Sequence, residues 1–262
     1  MNGVRSRVSS FCLLAIAVLS CLLLFTAALV PAQANAEEIA DNSPKQIVVD
    51  SAETYTFTYK ASASSYFTVG LKSSRCTMDY GSDYPYESDC SFLSLVVSQG
   101  GTTFYDHYVL DLNQELVSIP LLFKAGTPVT IRVAGERGYR EEAELTIHQH
   151  KYSYIEKEGN NSKSKATALK LGKSYVGVVN DASDKDCFAF KSGKTAKYKV
   201  QVRVEYSPDR PKLVYDNYKA TVDSGAGWKT VYSGSIKKGA TKRFSLGSFW
   251  TGVLYNVRVV RA

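Results

Sequence analysis

Hydrophobic and polar residues alternate through most of the chain. The clearest run has Tyr198, Val200, Val202, Val204 and Tyr206 alternating with Lys199, Gln201, Arg203 and Glu205. Shorter runs of the same kind occur at 55–59, 67–71, 129–133 and 143–147, separated by segments rich in Gly, Asn, Asp and Ser. A period of two is typical of strands with one buried face. The pattern therefore predicts an all-β protein of antiparallel, jelly-roll-like β-sandwiches.

The first 36 residues follow a different pattern. Arg5 and Arg7 precede a hydrophobic run at 11–30, and small-x-small sequences end at residues 34 and 36. This order is typical of a cleavable secretory signal. Two alternatives stay open, because the run is long enough for a retained anchor and Cys21 could be lipidated, although it lies inside the run. We expect a secreted or extracellular protein, with non-covalent retention at the cell surface as a further possibility.

Charge divides the rest of the chain into two parts. Residues 37–150 contain 8 Lys and Arg against 16 Asp and Glu, whereas residues 151–262 contain 22 against 9. A split of this size predicts two modules, an acidic one at 37–150 and a basic one at 151–262. The opposite charges either attract the modules to each other or leave the basic module free to bind an anionic polymer.

Three cysteines follow the signal. Cys76 and Cys90 bracket a polar loop, and in an oxidising compartment they are the natural disulfide pair. Closing a loop of this length stabilises a fold by about 3 kcal/mol. Cys187 alternates with Phe188 in a hydrophobic run, which predicts a buried, unreactive thiol.

One stretch carries a family resemblance. Its residues are Glu156-Lys157-Glu158-Gly159-Asn160-Asn161-Ser162, then Ala166, Leu169, Gly172, Tyr175, Gly177 and Asp184-Lys185-Asp186. It resembles the bacterial pre-peptidase C-terminal (PPC) domain, whose superfamily includes the collagen-binding modules of bacterial collagenases. The resemblance covers residues 154–262. Residues 40–150 are similar to a degenerate copy, in which 124–133 is matched to the ending at 252–259. Either the second module then lacks a counterpart of the strand at 143–147, or this internal match is shifted.

The resemblance implies a calcium site. In calcium-binding members of the family, acids and Asn of the opening segment join acids of the Asp-x-Asp turn. Carried over to this chain, the implied ligands are Glu156, Glu158, Asn160, Asn161, Asp184 and Asp186. Ca²⁺ prefers six to eight such oxygen ligands. The alternative is that these residues only cap and order turns.

Catalytic signals are weak. The chain contains no His-Glu-x-x-His, Gly-x-Ser-x-Gly, phosphate-binding glycine loop or Cys-x-x-Cys, so we expect no enzyme activity. His148 and His150 share a strand face and could hold a metal, whereas His107 lies alone. A second acidic group, with tyrosines suited to stacking on a sugar or protein, lies in the Cys76–Cys90 loop: Asp79, Asp83, Glu87, Asp89, Tyr80, Tyr84 and Tyr86.

The basic second module supplies the functional hypothesis. Exposed cations are expected to bind an anionic polymer, and the candidates are Lys199, Arg203, Lys237, Lys238, Lys242 and Arg243. The sequence thus predicts a secreted, non-catalytic binding protein that engages an anionic glycopolymer of the cell envelope or an extracellular protein. The alternative is a structural or chaperone-like accessory acting in trans on a secreted protease. We expect no nucleic-acid partner, and no membrane span after signal cleavage.

Overall fold

A computed structural model describes residues 36–78, 86–109, 111–206, 212–216, 219–223, 225 and 227–262. The predicted signal, residues 1–36, therefore lies almost wholly outside the described residues. Strands and no helices are found in the described part, which confirms the all-β class. Across this part, no helix is long and apolar enough to cross a membrane.

Two five-stranded sheets are formed by the first ten strands. Their orders are β1-β3-β9-β6-β7 and β2-β10-β4-β5, with β8 added to β4. The strand bounds are β1 Glu37–Glu38, β2 Lys45–Val49, β3 Thr54–Lys60, β4 Ser65–Met78, β5 Tyr86–Ser88, β6 Ser94–Gln99, β7 Thr102–Tyr108, β8 Glu115–Val117, β9 Pro128–Ala134 and β10 Tyr139–Lys151.

The remaining nine strands form two further sheets. Their orders are β11-β13-β18-β15-β16 and β12-β19-β14-β17. The strand bounds are β11 Thr167–Ala168, β12 Ser174–Val179, β13 Lys185–Lys191, β14 Ala196–Tyr206, β15 Lys212–Tyr215, β16 Ala220–Asp223, β17 Lys229–Ile236, β18 Thr241–Gly247 and β19 Val253–Arg261. We call residues 37–150 the first module and residues 151–262 the second module, although β10 continues through Lys151.

Each module has its own hydrophobic core between its two sheets. Phe57, Leu71 and Leu145 are fully buried in the first core, and Phe188 and Val202 in the second. These residues belong to the alternating runs of the sequence, and their polar neighbours point outward. The period of two therefore identified the buried face of β14 correctly, whereas β4, β12 and β13 carry buried residues on both faces.

The two modules repeat one topology. The turn before β9 places Gly126 at φ 80°, and the turn before β18 places Gly239 at the same φ. Each glycine donates its N–H to the residue just after the partner strand, Gly126 to Ala61 O after β3 and Gly239 to Ser192 O after β13, both at 2.8 Å. Because a side chain disfavours this φ, glycine is required at both turns.

This equivalence corrects the internal match made from the sequence. Residues 124–133 correspond to 237–246, and not to 252–259 as predicted. The last strand of the second module, β19, is the counterpart of β10 and therefore of residues 143–147. The second module does not lack a strand. The error was a shift of one strand, made because both β18 and β19 end in alternating hydrophobic residues.

The modules contact each other through a third, smaller hydrophobic cluster. Tyr66 and Leu122 of the first module pack with Val176, Val178 and Leu254 of the second. The last three residues lie on the outer face of the sheet β12-β19-β14-β17, as their register shows. The first module therefore covers the apolar half of that face.

Candidate functional site

The segment before β11 folds back onto two strands of the second module. Glu156 donates its backbone N–H to Val176 O on β12 at 2.8 Å. Asn160 then lies along β13, where its backbone O accepts the Cys187 N–H at 3.2 Å and its side chain donates to Cys187 O at 3.3 Å. The segment that carries the family resemblance, from Glu156 to Asn160, is thus held by backbone hydrogen bonds at both ends.

Glu156 and Asp186 meet at the centre of a buried acidic cluster. Glu156 is 3% exposed and Asp186 is 0% exposed. Tyr255 on β19 donates its hydroxyl to both carboxylates, with distances of 2.7 Å to Asp186 Oδ2 and 3.1 Å to Glu156 Oε2. Glu156 Oε1 accepts the Val178 N–H at 2.7 Å. At Gly177, a Cβ would collide with the Tyr255 ring, so glycine is required there for the cluster to assemble.

Glu158 and Asp184 extend the cluster towards the module boundary, where Asn180 connects them. The Asn180 backbone N–H donates to Asp184 Oδ2 at 2.9 Å, and its side chain donates to Glu158 Oε1 at 3.1 Å. The same side chain exchanges two hydrogen bonds with the backbone of Leu122 in the first module, at 2.9 Å and 2.5 Å.

Burial raises the pKa of every acid in this cluster. Loss of water is the largest cause, and the neighbouring carboxylates add to it for all four. The pKa of Glu158 is raised to about 9 and that of Asp184 to about 6. The pKa values of Glu156 and Asp186 are also raised, because these two carboxyls are fully buried against each other. Four acids this close favour either protons or a cation.

The donor set fits calcium. Two buried oxygens, Asn160 Oδ1 and Asp186 Oδ1, have no hydrogen-bond partner, and both are of the hard type that Ca²⁺ prefers. Among the described residues, no three His, Cys, Asp or Glu side chains already converge as metal ligands. Of the six residues named from the family, Asn161 is exposed and takes no part in the cluster's hydrogen bonds, whereas the other five come together.

The equivalent position in the first module is apolar. By strand register, Tyr55 replaces Asp186, Ala143 replaces Tyr255 and Ile47 replaces Gly177. Ala143 is 0% exposed and Ile47 is 6% exposed. The first module therefore has no acid at these three positions. It buries one carboxylate nearby, that of Glu141, which accepts hydrogen bonds from Ser73, Ser91 and the Phe92 N–H.

The six cations predicted to bind polymer do not form one surface. Lys199 and Arg203 lie on the outer face of the sheet β12-β19-β14-β17. The other four are placed elsewhere: Lys237 and Lys238 in the turn before β18, Lys242 over the ring of Tyr232 at 4.1 Å, and Arg243 on the other sheet, paired with Ala189. Their closeness in sequence was misleading, because neighbouring residues of a strand point to opposite faces.

A different group surrounds Lys199 and Arg203. Two guanidinium groups lie over the Trp228 ring, that of Arg258 at 3.9 Å and that of Arg203 at 5.3 Å from its centre. Arg258 also donates to Gln201 at 2.9 Å, and Arg203 pairs with Glu205. Sequence reasoning missed Trp228 and Arg258. The period of two in β19 places Arg258 on the outer face, but its position opposite Gln201 follows only from the pairing of β19 with β14. We call Lys199, Gln201, Arg203, Trp228 and Arg258 the basic platform.

The remaining candidates lie in the first module. Of the acidic loop, Asp79, Tyr80, Asp83 and Tyr84 lie outside the described residues. Glu87 pairs with Arg75 at 3.1 Å, Tyr86 is 65% exposed, and Asp89 lies on the surface. His107 lies 4.5 Å from the Tyr105 ring. His148 is bound to Glu115 at 2.7 Å, and His150 stacks on Tyr66 at 4.6 Å. The two histidines of β10 are thus engaged with separate partners.

The described cysteines are all free, and the predicted disulfide is not formed in the structure. Cys76 is buried, which raises the pKa of its thiol to about 11. Its strand partner is Ser88, whose hydroxyl donates to Cys90 O at 3.1 Å. The hairpin of β4 and β5 thus brings Cys90 back towards Cys76. Cys187 is buried, as expected, and burial raises its pKa.

We expect oxidation to join Cys76 and Cys90. Mass spectrometry of non-reduced tryptic peptides should show this pair and leave Cys187 as a thiol. Replacing both Cys76 and Cys90 with serine should lower the free energy of unfolding by about 3 kcal/mol under oxidising conditions. Finding Cys187 bridged to either residue would show that the pairing is wrong.

Comparisons with known proteins identify no family. No family model matches the chain, and no curated protein matches it. Solved structures with similar features include the CUB1-EGF-CUB2 region of human MASP-1/3, 12% identical over 83% of this chain and 100% of the other, with a TM-score of 0.24. The exported protein XepA is 10% identical over 84% of this chain and 88% of the other, with a TM-score of 0.29. The PPC resemblance stays a prediction.

Proposed function

We propose that this chain is an exported, non-catalytic binding protein that holds a calcium ion in its second module and engages an anionic glycopolymer. The observation that carries the calcium assignment is the buried acidic cluster with two unpartnered oxygens. Without a cation, its carboxyls must be neutralised by protons, which costs stability near neutral pH. Glu156, Glu158, Asn160, Asp184 and Asp186 would hold the ion, and the bound charge would neutralise the cluster.

The basic platform supports the polymer assignment. Trp228 offers an aromatic surface next to Arg203 and Arg258, and Lys199 lies on the same sheet face as these two arginines. Aromatic surfaces stack on sugar rings, and several aligned cations act together on a polyanion with strong salt dependence. No ion pair between described residues joins the acidic first module to the basic second module. The first module therefore leaves the platform's charge unneutralised by direct contact.

Retention on immobilised heparin or teichoic acid tests the platform. The double variant Lys199→Glu/Arg258→Glu should elute at clearly lower salt than wild type, because two aligned charges are reversed. Trp228→Ala should also weaken retention, since it removes the stacking surface. The matched control is Lys237→Glu/Lys238→Glu, which reverses two charges in the turn before β18 and should change retention less.

Equal losses in the two double variants would show that only net charge matters and that the platform is not a site. If wild type does not bind at low salt, the proposal that the chain binds an anionic polymer is wrong. A pull-down from envelope extract would then search for a protein partner. Far-ultraviolet circular dichroism of each variant separates lost binding from lost folding. The calcium assignment is tested independently by thermal melts.

A further inference from the structure

A cleft lies between the two modules, beside the acidic cluster. Its volume is about 670 Å³, inside the range of roughly 300–1,000 Å³ found for small-molecule sites. The first module contributes residues 62–64 and 122–125 to its walls, and the second module contributes residues 153–158 together with Thr167, Ala168, Lys170 and Tyr175. Both modules are therefore needed to form it.

Three lysines line this cleft. Lys124 comes from the first module, and Lys157 and Lys170 come from the second. All three are exposed, and none forms an ion pair with another described residue. Of the two acids in the lining, Glu156 is 3% exposed because its carboxylate points into the buried cluster, and Glu158 is half-buried and accepts a hydrogen bond from Asn180. The accessible charge of the cleft is therefore mainly positive, contributed by cations of both modules.

Tyrosines form the wall next to these lysines. The Tyr154 and Tyr175 rings are 5.2 Å apart, and the ammonium groups of Lys170 and Lys173 lie 5.8 Å and 5.6 Å from the Tyr154 ring. Tyr154 is half-buried, so part of its surface faces the cleft. Aromatic rings stack on the apolar faces of sugars. The hydroxyls of Ser62, Ser64 and Ser153 add hydrogen-bonding groups to the same lining.

We propose that the cleft between the modules binds acidic saccharide units, with Lys124, Lys157 and Lys170 holding the acid groups and Tyr154 contacting the sugar ring. The ligand class rests on the proposed function, but the site is separate from the basic platform on β14 and β19. The platform is an open sheet face suited to a long chain, whereas the cleft is concave and built from both modules. A short oligosaccharide should therefore bind in the cleft without needing the platform.

Isothermal titration calorimetry of the full mature chain in calcium-containing buffer tests this site. The probes are tetragalacturonate, a sulfated heparin tetrasaccharide, neutral maltotetraose and a polyglutamate peptide. We expect at least one acidic probe to bind with a stoichiometry of one and maltotetraose not to bind. Lys157→Glu/Lys170→Glu should weaken binding by about tenfold or more, since two charge-assisted contacts are lost. Tyr154→Ala should weaken it by a smaller factor.

The matched control is Lys163→Glu/Lys165→Glu, which reverses two exposed lysines of the same segment outside the cleft lining. It should retain wild-type affinity. Equal loss in both double variants, binding of maltotetraose, equally tight binding of a polyglutamate peptide, or no binding of either acidic probe would each overturn the proposal. If wild type binds the tetrasaccharide but is not retained on immobilised polymer, the proposal that the basic platform binds polymer is wrong, and the proposal that the cleft binds short acidic saccharides stands.

Discussion

Asp186→Asn should change the stability of this protein in opposite directions with and without calcium. In EDTA, the variant should melt no lower than wild type, because a fully buried carboxyl beside Glu156 is replaced by a neutral side chain. In millimolar Ca²⁺, wild type should gain about 3 kcal/mol if the ion is at roughly a hundred times its dissociation constant. That corresponds to about 5–10 °C in a chain of this size.

The variant should show little of this calcium-dependent gain. It should therefore melt no lower than wild type in EDTA but below wild type in Ca²⁺. Differential scanning calorimetry measures both states. Asn161→Ala is the control, because Asn161 is exposed and outside the cluster, and it should respond to calcium as wild type does. If wild type has the same melting temperature in EDTA and in Ca²⁺, the proposal of a calcium site is wrong.

Without calcium, the stability of the protein should fall as pH rises from about 5 to about 9. The acids of the cluster have pKa values above those of the unfolded chain, about 6 for Asp184 and about 9 for Glu158. The folded state therefore binds more protons than the unfolded state in this window, and raising the pH favours unfolding. A pKa difference of one corresponds to about 1.4 kcal/mol, so the total effect is on the order of several kcal/mol.

Chemical denaturation in EDTA across this pH range measures the effect. Glu158→Gln should flatten the upper part of the profile, and Asp184→Asn should flatten the part around pH 6, because each variant removes one group that releases its proton there. Calcium should reduce the slope for wild type, since the ion replaces the protons. A profile in EDTA that is flat, or that rises with pH through this window, would show that the four acids are not buried together.

The strands of this protein could be predicted from the sequence, but the surfaces between them could not. Runs such as 198–206 have a period of two, and this pattern alone decides which side chains face the core. The grouping of Lys199 and Arg203 with Trp228 and Arg258 depends on strand order and register across β17, β14 and β19. Pairings over such sequence distances leave no local pattern, so closeness in sequence wrongly grouped Lys242 and Arg243 with them.

The acidic cluster could be predicted from the sequence only in part. Five of its residues were named from a family pattern, because Asp-x-Asp and the acids before it are close in sequence. Tyr255 and Asn180 were not named, although Tyr255 bonds both central carboxylates and Asn180 joins the cluster to Leu122. Neither residue has an acidic side chain or a place in the motif, and only the fold shows their role.

The two modules present two solutions for the same interior position of one topology. In the second module the position is occupied by Asp186, Tyr255 and Gly177, and in the first by Tyr55, Ala143 and Ile47. Apolar side chains of suitable volume replace buried charges without loss of stability in many proteins. The same scaffold thus accepts either a charged or an uncharged set of side chains at this position. Loss of charge in the second module would also remove a partner of Asn180, whose side chain hydrogen-bonds both Glu158 and the backbone of Leu122.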